Sequence, residues 1–343
     1  MKNLRLIIVC SLFLHISFAQ MPEGNFKKKL SFKDTFFGNE EDYQVCYPKE
    51  HRTFFYGIFI ASSLAIGMFA FFLYTKSKHN RALKSLNAVL AEKNTEILDS
   101  IRYAKRIQES ILPSPESMSQ LPGKLSVIYK PRDIVSGDFY WVYKKENTVF
   151  LAVVDCTGHG VPGAFLSLLA HNAIEQAVIE KALQSPRLIL DSMNSFVKSA
   201  LKQSNNNEVN DGMEVGLCVI KETQVTYAGA NIKLKYHHCN QLHEIKATKC
   251  SVGTVQSNIS EPPVEHSVTL QKGDRIYMHS DGVVDQFGGP QLKKFSSKKL
   301  NEMIAETAAL ELDNQNKKIE KTILDWKGHT EQTDDILLLM YQI

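Results

Sequence analysis

Four carboxylates stand where a strand-like run meets a tight turn, and their type and spacing suit them to hold a cation. Asp155 ends the apolar run Val149 to Val154 and is followed by Cys156, Thr157, Gly158, His159 and Gly160. Asp281 follows the run Arg275 to Ser280 and precedes Gly282. Asp334, with Asp335 beside it, stands directly before the apolar run Ile336 to Tyr341. Asp138 follows Gly137 and precedes the aromatic run Phe139 to Val142. A buried strand that ends in Asp and a glycine turn presents its carboxylate at a sheet edge. Four such sites, far apart in sequence, converge readily at one mouth of a β-sandwich. Gathered carboxylates are costly in a cleft unless a cation neutralises them. Oxygen-only ligands favour the hard cations Mg²⁺ and Mn²⁺. The chain contains no Cys-x-x-Cys and no His-Glu-x-x-His, which argues against zinc.

Positioning these carboxylates needs strands, and the pattern supplies them from Leu125 onward. LSVIYK, FYWVYK and TVFLAVVD come first. Two helical stretches follow, Ala164 to Leu183 and Leu188 to Lys202, the second preceded by Ser185-Pro186 as an N-cap with Pro at the first helical position. Then come MEVGLCVI, QVTYAGA, KLKYHHC, LHEIKA, HSVTL and RIYMHS, late helices over Leu300 to Ala309 and Lys317 to Trp326, and the last strand. The expected fold is α+β: two packed antiparallel sheets flanked by helices. Cys156, Cys218, Cys239 and Cys250 are read as small apolar residues of strands or turn flanks.

In order and approximate spacing, Gly137-Asp138-Phe139-Tyr140, Asp155-x-x-Gly158-His159-Gly160, Ser280-Asp281-Gly282 and Gln332-x-Asp334-Asp335 resemble the SpoIIE-like branch of the PPM metal-dependent serine/threonine protein phosphatases. The resemblance runs from Leu125 to Ile343. It implies two ions, Mn²⁺ or Mg²⁺. Asp138 and Asp155 would bind both, with the backbone carbonyl of Cys156 as a further ligand, and Asp281 and Asp334 would complete the first. The ions would activate water for in-line attack on phosphorus, so no side-chain nucleophile is needed. Asp335 is read as a supporting or surface carboxylate, and His159 as a residue that orders the turn. The resemblance has two gaps. Asn231 is not followed by the Asn-x-Pro proline that related domains often carry, and Ser251 stands where they often have proline. The family's phosphate-binding arginine has no secure counterpart; Arg132 is near in sequence but reads better as a solvated surface residue.

The segments before Leu125 read as membrane attachment. Met1 to Gln20 has a basic start, an apolar run and Ser17-Phe18-Ala19 as a cleavage-type end, the pattern of a signal peptide, with an uncleaved anchor as the alternative. Residues 21 to 53 form a short polar extracytoplasmic segment holding Cys46. Phe54 to Tyr74 carries no charge and, at about 1.5 Å per residue, is long enough to span a bilayer. Lys76, Lys78, Arg81 and Lys84 follow it, which puts the C-terminal side in the cytoplasm, beneath the inner membrane. From 75 to 112 the chain is a helical linker. Leu83, Leu90, Ile97, Ala104 and Ile111 recur every seven residues, Leu86 and Ile107 add to the seam, and Lys93 and Ser100 interrupt it. The pattern fits a short parallel coiled coil that pairs two copies, or one amphipathic helix packed on the next domain. Pro113, Pro115 and Pro122-Gly123 end it.

Net charge is +3, with 43% hydrophobic and 22% charged residues, a balance that does not suggest nucleic acid. The function expected is that of a membrane-anchored phosphatase acting on phosphoserine or phosphothreonine of a cytoplasmic regulatory protein, such as an anti-sigma-factor antagonist. The competing readings are a non-catalytic coiled-coil scaffold that binds a partner through a phosphatase-like domain, and a receptor for an extracellular ligand.

Overall fold

A computed structural model of the protein describes residues 49–201, 211–254 and 262–343. The signal peptide expected at 1–20, Cys46 and the Asn205–Asn207 loop lie outside the described residues. The chain divides into two compact units, 1–92 and 93–343.

Helix α1, Lys49–Ile111, is unbroken. No Gly or Pro separates the apolar stretch from the charged one after Met68, so nothing in the sequence stops the helix there. Within the first unit α1 is long and apolar enough to cross a membrane, with a mean hydropathy of 2.0 over its most apolar stretch. Leu83, Leu86, Leu90, Ile97 and Ile107 of the heptad seam are exposed on the single chain.

The second unit is an αββα sandwich. A short helix α2, Pro115–Ser119, leads into β1, Lys124–Lys130. The strands β2 (Phe139–Lys145) and β3 (Thr148–Cys156) precede helix α3 (Gly160–Glu175), a π-helical turn over Gln176–Glu180, and helix α4 (Pro186–Ala200). Ser185 caps α4, its Oγ accepting from the amide of Leu188 at 3.3 Å, with Pro186 first in the helix. Next come β4 (Met213–Lys221), β5 (Gln224–Ala230), β6 (Leu234–His238), β7 (Gln241–Ile245), β8 (Glu265–Thr269) and β9 (Arg275–His279). A short helix α5 (Gly282–Asp285), the minor strands β10 (Phe287–Gly288) and β11 (Lys293–Lys294), helices α6 (Ser296–Thr307) and α7 (Leu312–Lys327), and β12 (Ile336–Gln342) complete it.

One sheet runs β1-β12-β9-β6-β7 and the other β2-β3-β4-β5-β8. Every strand pair in both is antiparallel. Side chains alternate across a strand, so each long strand feeds two cores. From β3, Val149, Leu151 and Val153 meet Ile276, Met278, Leu337 and Leu339 between the sheets. From the same strand, Phe150, Ala152 and Val154 meet Leu166, Ala170, Ile174 and Met193 of α3 and α4. On the far side, Leu338 and Met340 pack with Leu300, Ile304, Ile319 and Ile323 of α6 and α7. β12 lies between β1 and β9, pairing Val127 with Leu339 and Tyr277 with Met340. The expected two-sheet architecture is the observed one. Cys156, Cys218 and Cys250 are buried, whereas Cys239 is exposed at the β6–β7 turn and departs from the expected burial.

Candidate metal centre

The carboxylates sit where strands of both sheets end on one side of the sandwich. Asp155 is the penultimate residue of β3, Asp138 immediately precedes β2, Asp281 follows β9 by two residues, and Asp334 precedes β12 by two. Antiparallel pairing of β2 with β3 puts Phe139 opposite Val154, which brings Asp138 beside Asp155. Pairing of β9 with β12 brings Asp281 to Asp334. The two pairs meet across the sheets, where the amide of Asp281 donates to Asp155 Oδ2 at 3.5 Å.

Asp138 is the deepest of the four, only 3% exposed, and its Oδ2 is buried without a hydrogen-bond partner. Burial, and next the charge of Asp155, push its carboxyl well above the usual range, with the nearby Ser280 hydroxyl opposing the shift. Burial raises Asp155 to about 8, with Asp281 and Glu214 adding to it. Asp281 is raised by burial and then by Asp334 and Asp285, while Lys294 opposes the shift. Asp138, Asp155 and Asp281 are therefore each raised in part by neighbouring carboxylates, which is the electrostatic condition a divalent cation relieves. The donor set is all oxygen, fitting a hard cation. Among the described residues no three such side chains are gathered into a ready-made cage; the aspartates approach in pairs.

Glycine is required where backbones crowd this mouth. A Cβ on Gly137 would lie 2.5 Å from the carbonyl oxygen of Gly158 and 3.1 Å from that of Cys156. That closeness sets the Cys156 carbonyl against the Gly137-Asp138 loop. The Cys156 thiol turns into the core, where burial raises its pKa strongly, so it is no ligand. A Cβ on Gly282 would lie 2.0 Å from the Asp335 carbonyl oxygen, so only glycine lets the Asp281 turn reach the Asp334-Asp335 backbone.

Asp335 is spent on the scaffold. Only 2% exposed, it accepts from the amide of Arg132 through Oδ1 at 2.6 Å and from Gly137 through Oδ2 at 2.7 Å. It thereby ties the strand carrying Asp334 to the loop carrying Asp138. His159 stands at the N-terminus of α3, its Nδ1 2.7 Å from Asp133 Oδ2, which fastens the glycine turn to the same loop. Arg132 donates through a guanidinium nitrogen to the carbonyl of Thr333 at 2.9 Å, next to Asp334 and open to solvent.

Two residues at the site escape a reading of the motifs. Glu214 of β4 faces Asp155 in register, and burial and then Asp281 raise its pKa. Asn231, in a left-handed conformation with φ 61°, donates to Glu214 Oε1 at 3.0 Å. The signal for Glu214 was a carboxylate inside an otherwise apolar strand. The other residue is Gln108, near the end of α1 and 4% exposed. Its Nε2 donates to the Ser136 carbonyl at 2.6 Å and to Ser167 Oγ at 2.9 Å, and its Oε1 accepts from the Ser136 amide at 3.0 Å. Nothing in its local sequence marks it.

Comparison with known proteins places the chain in a family and its fold among solved structures. The family profile described as Stage II sporulation protein E (SpoIIE) matches residues 145–343. The match begins after Asp138, so the place of that residue rests on the structure. Phosphoserine phosphatase RsbU of Bacillus subtilis (strain 168) is 25% identical over 195 residues, which cover 55% of this chain and 55% of that protein. The chain thus spans about half the length of that curated relative. The solved SiaA-PP2C domain of Pseudomonas aeruginosa is 30% identical and superposes with a TM-score of 0.65, covering 73% of this chain and 98% of that one. The PP2C phosphatase domain of SpoIIE from Bacillus subtilis, 13% identical with a TM-score of 0.52, covers 64% of this chain and 63% of that one and shares the fold.

Proposed function

The chain belongs to the Stage II sporulation protein E (SpoIIE) family, and we propose that it is a metal-dependent phosphatase acting on phosphoserine or phosphothreonine of a regulatory protein. The observation that carries this reading is the buried, unpartnered Oδ2 of Asp138 set among other carboxylates. In this reading Asp138, Asp155 and the Cys156 carbonyl would hold the two ions, and Asp281 and Asp334 would complete the first. Bound Mn²⁺ or Mg²⁺ supplies the charge that activates water and offsets the phosphoryl oxygens.

The protein's own part is to hold these oxygens in place. Asp335 fixes the Asp138 loop through two amides, and Gly282 lets Asp281 approach Asp334 closely. Gln108 holds Ser136 two residues before Asp138. Glu214, anchored by Asn231, adds negative charge beside Asp155 and so favours cation over anion at that side.

The membrane reading belongs to the same proposal. The apolar stretch of α1 crosses the inner membrane, the basic residues after it keep the second unit in the cytoplasm, and the exposed heptad seam pairs two copies. The substrate is then a phosphorylated cytoplasmic protein, as in a partner-switching circuit. The test is phosphate release from a phosphoserine protein by the full-length protein with Mn²⁺, with chelator, and with Asp155→Asn. Release that survives both chelation and the substitution excludes the metal-dependent reading.

A further inference from the structure

The turn joining β6 to β7 carries a group of side chains that the phosphatase reading does not use. His238 and Gln241 close the hairpin as a pair, leaving Cys239 and Asn240 as a two-residue turn. Both have positive φ, 49° and 60°. Such turns favour Asn-Gly or Gly-containing pairs, because a residue with a Cβ is strained there. The same left-handed backbone occurs at Glu146 and Glu222 in the β2–β3 and β4–β5 turns, so the turn shape alone does not single out Cys239.

Its neighbours give that cysteine a chemistry. Cys239 Sγ lies 3.1 Å from His238 Nε2, and His238 Nδ1 lies 2.5 Å from Asp274 Oδ2. Asp274 is itself fixed, its Oδ2 also accepting from the amide of Gln271 at 2.6 Å. An acceptor carboxylate at Nδ1 holds the proton on that nitrogen. The lone pair of Nε2 is then left for the thiol proton. Thiol, imidazole and carboxylate thus stand in the order of an activated nucleophile, a base and the group that orients the base. Cys239 is exposed, while Asp274 is largely covered. The turn is remote from the aspartates. His237 pairs with Arg275 at the start of β9, whereas Asp281 follows the other end, on the order of 20 Å away along an extended strand.

We propose that Cys239 is a reactive thiol that His238 and Asp274 prime for exchange with low-molecular-weight disulfides. The Cys239 proton passes to His238 Nε2, and the thiolate attacks one sulfur of the small disulfide. A new sulfur–sulfur bond forms, the old one breaks, and the departing thiolate takes the proton back from His238. The product is a mixed disulfide on the β6–β7 turn, reversible by a small thiol.

The experiment uses full-length protein in lipid nanodiscs with oxidised glutathione at neutral pH, acid quenching and peptide mass mapping. Mapping separates Cys239 from the other five cysteines of the chain. Native Cys239 should be modified at least about tenfold faster than the same residue in the urea-unfolded chain. In folded His238→Gln protein its rate should fall to near the unfolded value. A native rate no higher than the unfolded one overturns the proposal without any variant. So does a folded His238→Gln protein that reacts as fast as the wild type.

Discussion

The side-chain amide of Gln108 is hydrogen-bonded on both sides to the backbone of Ser136, donating to its carbonyl at 2.6 Å and accepting from its amide at 3.0 Å. Asp138 lies two residues further on. The end of a helix is thus stitched to the loop that carries the deepest carboxylate.

Replacing Gln108 with Leu leaves the Ser136 amide, the Ser136 carbonyl and the Ser167 hydroxyl without this partner. A buried polar group left unpaired costs about 1–3 kcal/mol. Thermal unfolding of the full-length variant should show a clear loss of stability in the second unit. Half-maximal activity should also need more Mn²⁺, because the Asp138 loop is less fixed. An unchanged Mn²⁺ requirement would show that the join serves stability alone.

Asp138→Asn should act in opposite directions with and without metal. Without metal it removes a buried charge that repels Asp155, so the melting temperature in chelator should rise. With Mn²⁺ the stabilisation by bound ion should shrink, and kcat should fall at least ~10²-fold, since metal charge stabilisation is worth several kcal/mol. A variant whose melting temperature drops in chelator would mean that Asp138 is satisfied without a cation.

Lys235 gives a pH dependence remote from the aspartate motifs. It is 1% exposed, 2.5 Å from Asn301 Oδ1 and 3.9 Å from Glu244, and burial lowers its pKa to about 8 from 10.5. A lysine with a lowered folded pKa binds fewer protons folded than unfolded between those values. Its cost is full below about pH 8 and fades as pH rises toward 10.5. Lys235→Met should therefore be more stable than wild type at pH 7, by up to a few kcal/mol less the lost Asn301 bond, at about 1.4 kcal/mol per pKa unit. The gap should narrow by pH 10. Parallel melts of both proteins at the two pH values test this, and a gap that is constant or widens rejects it.

The proposed pairing of two copies rests on the heptad seam. Ile97 is 56% exposed on the single chain. Ile97→Glu should weaken self-association of full-length protein in sedimentation or cross-linking, whereas Lys93→Leu should strengthen it by filling a polar gap in the seam. Equal association of both variants would favour a helix that does not pair through this face.

Orientation is open to a reporter fused after Ile343 that works only outside the cytoplasm. It should be silent, and strong reporter activity would reverse the proposed topology.

Much of the sandwich could be read directly from the residues because period-two alternation and strand-ending aspartates are local signals. The pattern TVFLAVVD gives both a strand that feeds two cores and the carboxylate at its end. Ser185-Pro186 similarly marks the start of α4. Helix α3 begins at Gly160, earlier than the Ala164 start expected, because the glycine turn winds straight into it. The π-helical turn after Glu175 carries no sequence mark at all. Gln108 and Glu214 stayed hidden for a common reason. Their roles come from partners 28 and 17 residues away, made by helix docking in one case and by a turn reaching back to a strand in the other. The reading of Asp335 as a supporting carboxylate agrees with its two backbone partners, yet those partners, Arg132 and Gly137, lie some two hundred residues earlier.

The position of β12 between β1 and β9 has a consequence for biosynthesis. The ribosome makes β12 after every other strand of the sandwich, so β1 must wait for a neighbour about two hundred residues downstream. Until then β1 and β9 each expose an unpaired edge, and Asp334 is not yet in place. Contacts of such long sequence separation form slowly and leave nascent chains prone to sticking. In the proposed membrane-anchored form, the apolar part of α1 emerges long before β12 and is inserted while the rest is still being made. The proposed metal centre is therefore complete only once the last strand has been added.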